Sequence, residues 1–183
     1  MHPEAKHFIQ FCQGAFGAQY RSGRTLSAAY SSDRSNVGGP GAVSPFLRMT
    51  DAPESLEVII VYECFQHDED YALSLGRAVE MLQPGGLFMF TCAAADRTAD
   101  HALSSTAVAP ADDEYYRGLN AADVLSAIGD NFRPFFHLYY NAVSKDLYFV
   151  GIKNGSAPGT THSFPTYDAP GVTLGHGGYE RKK

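Results

Sequence analysis

The stretch "SLEVIIVYECFQHDEDYALSLGRAVEMLQPGGLFMFTCAA", residues 55–94, decides the fold. It opens on a continuous apolar, β-branched run over 55–63, the pattern of a strand covered on both faces. From residue 70 the period changes. Leu73, Leu75, Ala78, Val79 and Leu82 fall near helical spacing, which predicts a helix over 70–83. Pro84, Gly85 and Gly86 stop it, because proline cannot continue a helix and glycine permits the turn. "LFMFTCAA" (87–94) is then a second buried strand. Strand, helix and strand within about 40 residues make a βαβ unit, whose crossover is expected to be right-handed.

The flanks are read outward from this unit. Residues 3–20 carry Phe8, Ile9, Phe11, Cys12, Ala15 and Phe16 close to helical spacing, with Pro3 suited to a first turn. "RTLSAAY" (24–30) reads as a short strand, and 31–45 as loop rich in Ser, Gly, Pro and Asn. Asn120 is placed to cap a helix over 120–130 whose stripe is Val124, Leu125 and Ile128. "RPFFHLYYNAVSKDLYFVGIK" (133–153) reads as two antiparallel strands joined by a short turn. Phe132, Phe135, Phe136, Tyr139, Tyr140, Tyr148 and Phe149 are expected in the core and the sheet. Residues 154–183 differ from all of this. Gly, Ser, Thr and Pro dominate, and such a segment must lie on something to be ordered, either its own domain or a partner. The expected division is a domain over 1–153 and an extended tail over 154–183.

Bulk properties exclude several classes. A net charge of −6 and scattered Lys and Arg argue against a nucleic-acid surface. Three cysteines without paired spacing suggest reduced thiols in an intracellular compartment. The opening "MHPEAKHFIQ" lacks the charged and apolar regions of a secretory leader. No apolar stretch approaches the roughly 18 residues that span a bilayer. The chain is therefore expected to be soluble, or peripheral to something larger.

"LEVIIVYECFQHDEDY", "LQPGGLFMFTCAAADR", "YYRGLNAADV" and "DLYFVGIK", in that order, resemble a branch of the class I S-adenosylmethionine (SAM) dependent methyltransferases, related to the type 11 group. "MHPEAKHFI" resembles that branch's N-terminal helix. The resemblance covers most of 55–153. It implies that 55–63 is the family's strand 4 and 87–94 its strand 5. It also implies SAM over the carboxyl ends of strands 1 and 2, with a glycine-rich turn after strand 1 and a ribose-binding acidic residue after strand 2. Here the chain departs from the pattern. Ser27 stands where the family has an acidic residue, and Ala28 to Tyr30 stand near its glycine. About 30 residues separate Leu26 from Val58. A helix–strand–helix–strand set needs at least about 45. The expected fold is thus α/β: a shortened, Rossmann-like class I methyltransferase sheet with a C-terminal antiparallel hairpin and a reduced cofactor half.

Candidate site residues follow. If the chain is active, Glu63, His67, Asp68 and Arg97 are the catalytic candidates, at the strand ends where open α/β sheets bind ligands. If SAM binds, Ser27, Tyr30, Glu63 and Cys64 would contact it. The structural alternative is that Asp68 caps the next helix, Glu69 and Asp70 complement its positive end, and His67 is a partly buried hydrogen-bonder. Tyr115 and Tyr116 either shape an acceptor pocket, as in the family, or pack their loop on the core. Arg97, Asp100, His101 and His67 lack metal-ligand spacing, so no metal is expected. Two functions compete. One is a non-catalytic methyltransferase-like subunit of a larger assembly, without cofactor, whose 154–183 tail contacts protein partners. The other is an active SAM-dependent methyltransferase acting on an unknown acceptor.

Overall fold

The computed structural model describes residues 3–16, 24–29, 50–97, 115–155 and 165–177. In chain order the elements are helix α1 (Pro3–Phe16), strand β1 (Thr25–Ala29), strand β2 (Leu56–Tyr62), a single 3-10 turn (Phe65–His67), helix α2 (Tyr71–Met81) and strand β3 (Leu82–Ala93). Helix α3 (Ala121–Ile128) and strands β4 (Phe136–Asn141), β5 (Asp146–Ile152) and β6 (Val172–Gly177) complete them. One six-stranded sheet runs β1-β2-β3-β5-β4-β6. β1, β2 and β3 are parallel, whereas β5 is antiparallel to both β3 and β4. The βαβ unit and the hairpin therefore form as the sequence predicts.

Each face of the sheet has its own core. On one face α2 and α3 cover Ile59 and Val61 of β2, Phe88 and Phe90 of β3, and Phe149 of β5. The rings interlock there: Phe90 stacks on Phe149 at 5.1 Å, and Phe65 meets Phe90 edge-on at 5.2 Å. On the other face α1 covers Val58, Ile60, Met89, Tyr139, Tyr148 and Val150. Period-2 alternation assigns neighbouring residues of each strand to opposite faces.

Local chemistry sets the element ends. Asn120 accepts from the Asp123 N–H at 2.9 Å, and Asp123 accepts from the Asn120 N–H at 3.1 Å, a complete capping box at the start of α3. The β4–β5 hairpin closes on Asn141, whose Oδ1 accepts from the Val143 and Ser144 N–H groups. α2 ends at Met81, earlier than the proline demands. Leu82 is already paired with Leu56. Lys153 Nζ donates to the terminal carbonyls of Val79 (2.9 Å) and Leu82 (2.6 Å), which the helix itself cannot satisfy.

The segment 165–177 lies on the chain's own sheet. Tyr167 is buried between α1 and the sheet, edge-on to Phe8 (5.2 Å) and tilted against Phe11 (5.1 Å). Its hydroxyl hydrogen-bonds His7 Nδ1 at 2.8 Å, and its N–H donates to the Tyr139 hydroxyl at 2.9 Å. β6 then adds antiparallel to β4. Of the two substrates weighed for this tail, the domain itself takes this part of it.

Candidate functional site

β2 delivers the chain to Glu63, which leaves the strand in the left-handed region at φ 51°. A non-glycine residue there carries a conformational cost, and such residues concentrate where surrounding contacts hold them in place. The contacts that hold Glu63 are visible. Its N–H donates to Thr91 O at 2.9 Å, and its Oε2 accepts from Arg97 Nη1 (3.0 Å) and Gln66 Nε2 (3.2 Å). Arg97 follows β3 and also donates from Nη1 to Asp146 Oδ1 at 2.5 Å, at the start of β5. Two carboxylates and one guanidinium thus tie three strands together. All three side chains are buried, Asp146 completely.

The segment 115–119 closes over this cluster. Gly118 has no room for a Cβ against the Ala94 carbonyl, so only glycine allows so close an approach. The Leu119 N–H donates to Ala93 O and the Arg117 N–H to Gln66 O. Tyr116 meets His67 edge-on at 5.3 Å, and Arg117 lies over the Tyr71 ring at 5.6 Å. Tyr116 is half-buried, and burial raises its pKa to about 12.

The predicted residues divide into two groups. Glu63, His67, Asp68 and Arg97 gather at the carboxyl ends of β2 and β3. Burial, and secondarily Arg97, lower His67 to about 4, so it is a neutral imidazole at pH 7. Asp68 Oδ1 accepts from the Asp70 N–H at 2.9 Å, stabilising the turn into α2, while Asp70 occupies the N-cap position itself. Asp68 therefore does not cap α2: it closes the preceding turn, and the N-cap Asp70 makes no side-chain cap hydrogen bond. Cys64 Sγ donates to Tyr62 O at 3.2 Å, and burial pushes its thiol up to about 12. Cys92 is pushed well above its ordinary value by the same cause. Neither is a nucleophile at neutral pH. Ser27 lies apart, exposed on the α1 face of β1 opposite Ile60. Tyr30, Asp100 and His101 lie outside the described residues, as does the interval 30–49. Among the described residues no cluster of three metal-ligating side chains occurs.

Sequence reasoning missed Asp146. In the sequence it closes "NAVSKD" (141–146), the connection between the two predicted strands, with no role assigned to it. A carboxylate heading a fully buried strand needs a cation beside it, and that was the available signal.

Two solved structures share this fold. A SAM-dependent methyltransferase from Thermotoga maritima aligns at TM-score 0.52 and 11% identity over 80% of this chain and 89% of its own. A Bacillus halodurans C-125 protein described as a methyltransferase aligns at TM-score 0.51 and 10% identity over 81% and 99%. The fold is that of the class I methyltransferases. No family model matches the sequence, and no curated protein does. At this identity the match establishes architecture. It agrees with the resemblance carried by the strand-4 and strand-5 motifs. No described helix is long and apolar enough to cross a membrane.

Proposed function

We propose that the chain is a non-catalytic methyltransferase-like protein, acting inside the cell as a structural or accessory subunit of a larger assembly. The observation that carries this reading is the commitment of Glu63. A general base must reach the proton that it abstracts. Glu63 is instead buried, bonded to Arg97, and held in a network whose other end is Asp146. That arrangement cross-links strands.

Measured against what SAM requires, Ser27, Glu63 and Cys64 fit poorly. Ser27 sits on the exposed α1 face of its strand, Glu63 has given one oxygen to Arg97, and the Cys64 thiol is turned to a backbone carbonyl. The tail supports a subunit role in a restricted way. Residues 165–172 anchor it to the domain, leaving Leu174 on β6 and Val143 on the neighbouring hairpin exposed for a protein partner. In this reading the domain over 1–153 and the tail over 154–183 act as scaffold and contact surface, with no cofactor.

A second reading, an active SAM-dependent methyltransferase with an unknown acceptor, rests on a different observation. Glu63 Oε1, Gln66 Oε1 and Asp68 Oδ2 are buried acceptors without hydrogen-bond partners among the described residues. A ligand's donors would satisfy them. His67 is then the neutral group nearest to an acceptor's proton, with Arg97 and Asp68 beside it.

Native purification of the full chain from its own cells separates the two. The subunit reading expects a stoichiometric protein partner whose retention falls with Leu174→Asp or Val143→Asp. A chain that elutes alone and transfers methyl groups from SAM would overturn it.

A further inference from the structure

The charges at the strand ends do not balance. Arg97 brings one positive charge to Glu63 and Asp146. The Arg97 side chain is 4% exposed, that of Glu63 11% and that of Asp146 0%. Each carboxylate also keeps one oxygen, Glu63 Oε1 and Asp146 Oδ2, that is buried without a hydrogen-bond partner among the described residues. The Ser144 hydroxyl offsets part of this at Asp146. The titratable groups packed around them add no second cation among the described residues. Cys92 on β3, Tyr116 on the covering segment and Tyr148 on β5 are all raised by burial and neutral at pH 7. His67, on the turn after β2, is neutral as well. Fully ionised, the triad would therefore hold a net negative charge away from water. A buried carboxyl avoids this by keeping its proton.

We infer that the Glu63–Arg97–Asp146 triad holds one proton, seated on Asp146, and that the tie between β2, β3 and β5 is thereby sensitive to pH. Asp146 is the seat because it is the deeper of the two carboxylates. The proton goes onto Oδ2, while Oδ1 continues to accept from Arg97 Nη1. Burial first, and Glu63 second, raise Asp146 from 3.8 to about 7. An unfolded chain releases this proton at about pH 4. The folded chain therefore holds one proton more between roughly pH 4 and 7. The associated stability is fully present below the unfolded value and is lost as pH rises through about 7. This holds whether or not the chain binds a cofactor.

Urea unfolding of the full chain at a series of pH values, with wild type and Asp146→Asn side by side, tests it. The ratio of their unfolding constants is expected to rise with pH, by up to about tenfold per unit, and to level off above about pH 8. A ratio that stays constant across the series would overturn the inference. Infrared difference spectra of wild type labelled with 13C-aspartate provide the check if the variant does not fold. A protonated buried aspartate band should be present at about pH 5.5 and absent at about pH 8.5. Its absence at the acid end would equally overturn it.

Discussion

The two faces of the sheet are closed by different means. The α2/α3 face is closed by helices that lie between the strands they cover, and its core is mainly Phe, Leu, Ile and Val, with Cys, Ala and Met. The α1 face is closed by the chain's two described ends, α1 and the segment around Tyr167. Its core is tyrosine-rich, and the hydroxyls are taken up by histidine rings and a backbone N–H: Tyr167 by His7, and Tyr139 by His137 and the Tyr167 N–H. One face is held by local crossover connections, the other by a contact between residues 160 positions apart. A non-local closure of that kind forms later and opens more readily, because its loop entropy must be overcome before its contacts form. The strand-end triad belongs to neither face. It locks the three strands that both faces share.

Breaking the lock should cost most. Arg97→Ala leaves two buried carboxylates without their cation and is expected to destabilise the fold by about 3–5 kcal/mol. Equilibrium urea unfolding measures it, and both faces should be lost together. Truncation of the α1-face strap should come next. Tyr167→Ala removes a buried aromatic side chain, at about 3 kcal/mol. Hydrogen exchange should then accelerate in α1 and β6 more than in α2 and β3. Equal acceleration everywhere would erase the distinction between the faces. Removing the α3 cap by Asn120→Ala should cost about 1 kcal/mol and loosen only the α2/α3 face. The mildest change, Tyr167→Phe, deletes the hydroxyl bonded to His7 at about 1 kcal/mol or less.

The same division explains what could be read from the sequence. The βαβ unit was legible because its signals are local: a β-branched run, a helical period, and Pro84–Gly85–Gly86 after the helix, although the strand already begins at Leu82. Asn120 and the Asn141 turn were legible for the same reason. Tyr167 was not, because nothing in "SFPTYDAP" says that an aromatic pocket on α1 and β4 is waiting for it. Glu63, His67, Asp68 and Arg97 were recognised as neighbours through the strand order alone. Their chemistry was not, because it depends on Asp146, which follows Glu63 by 83 positions and reaches it only when β5 pairs with β3. A run of acidic residues at a strand end looks alike whether it holds a substrate or an arginine.

The claim that this strand end is a lock rather than a ligand site is tested most directly by calorimetric titration of the full chain with SAM. The account predicts no heat beyond dilution for wild type. Micromolar binding that Glu63→Ala abolishes would contradict it.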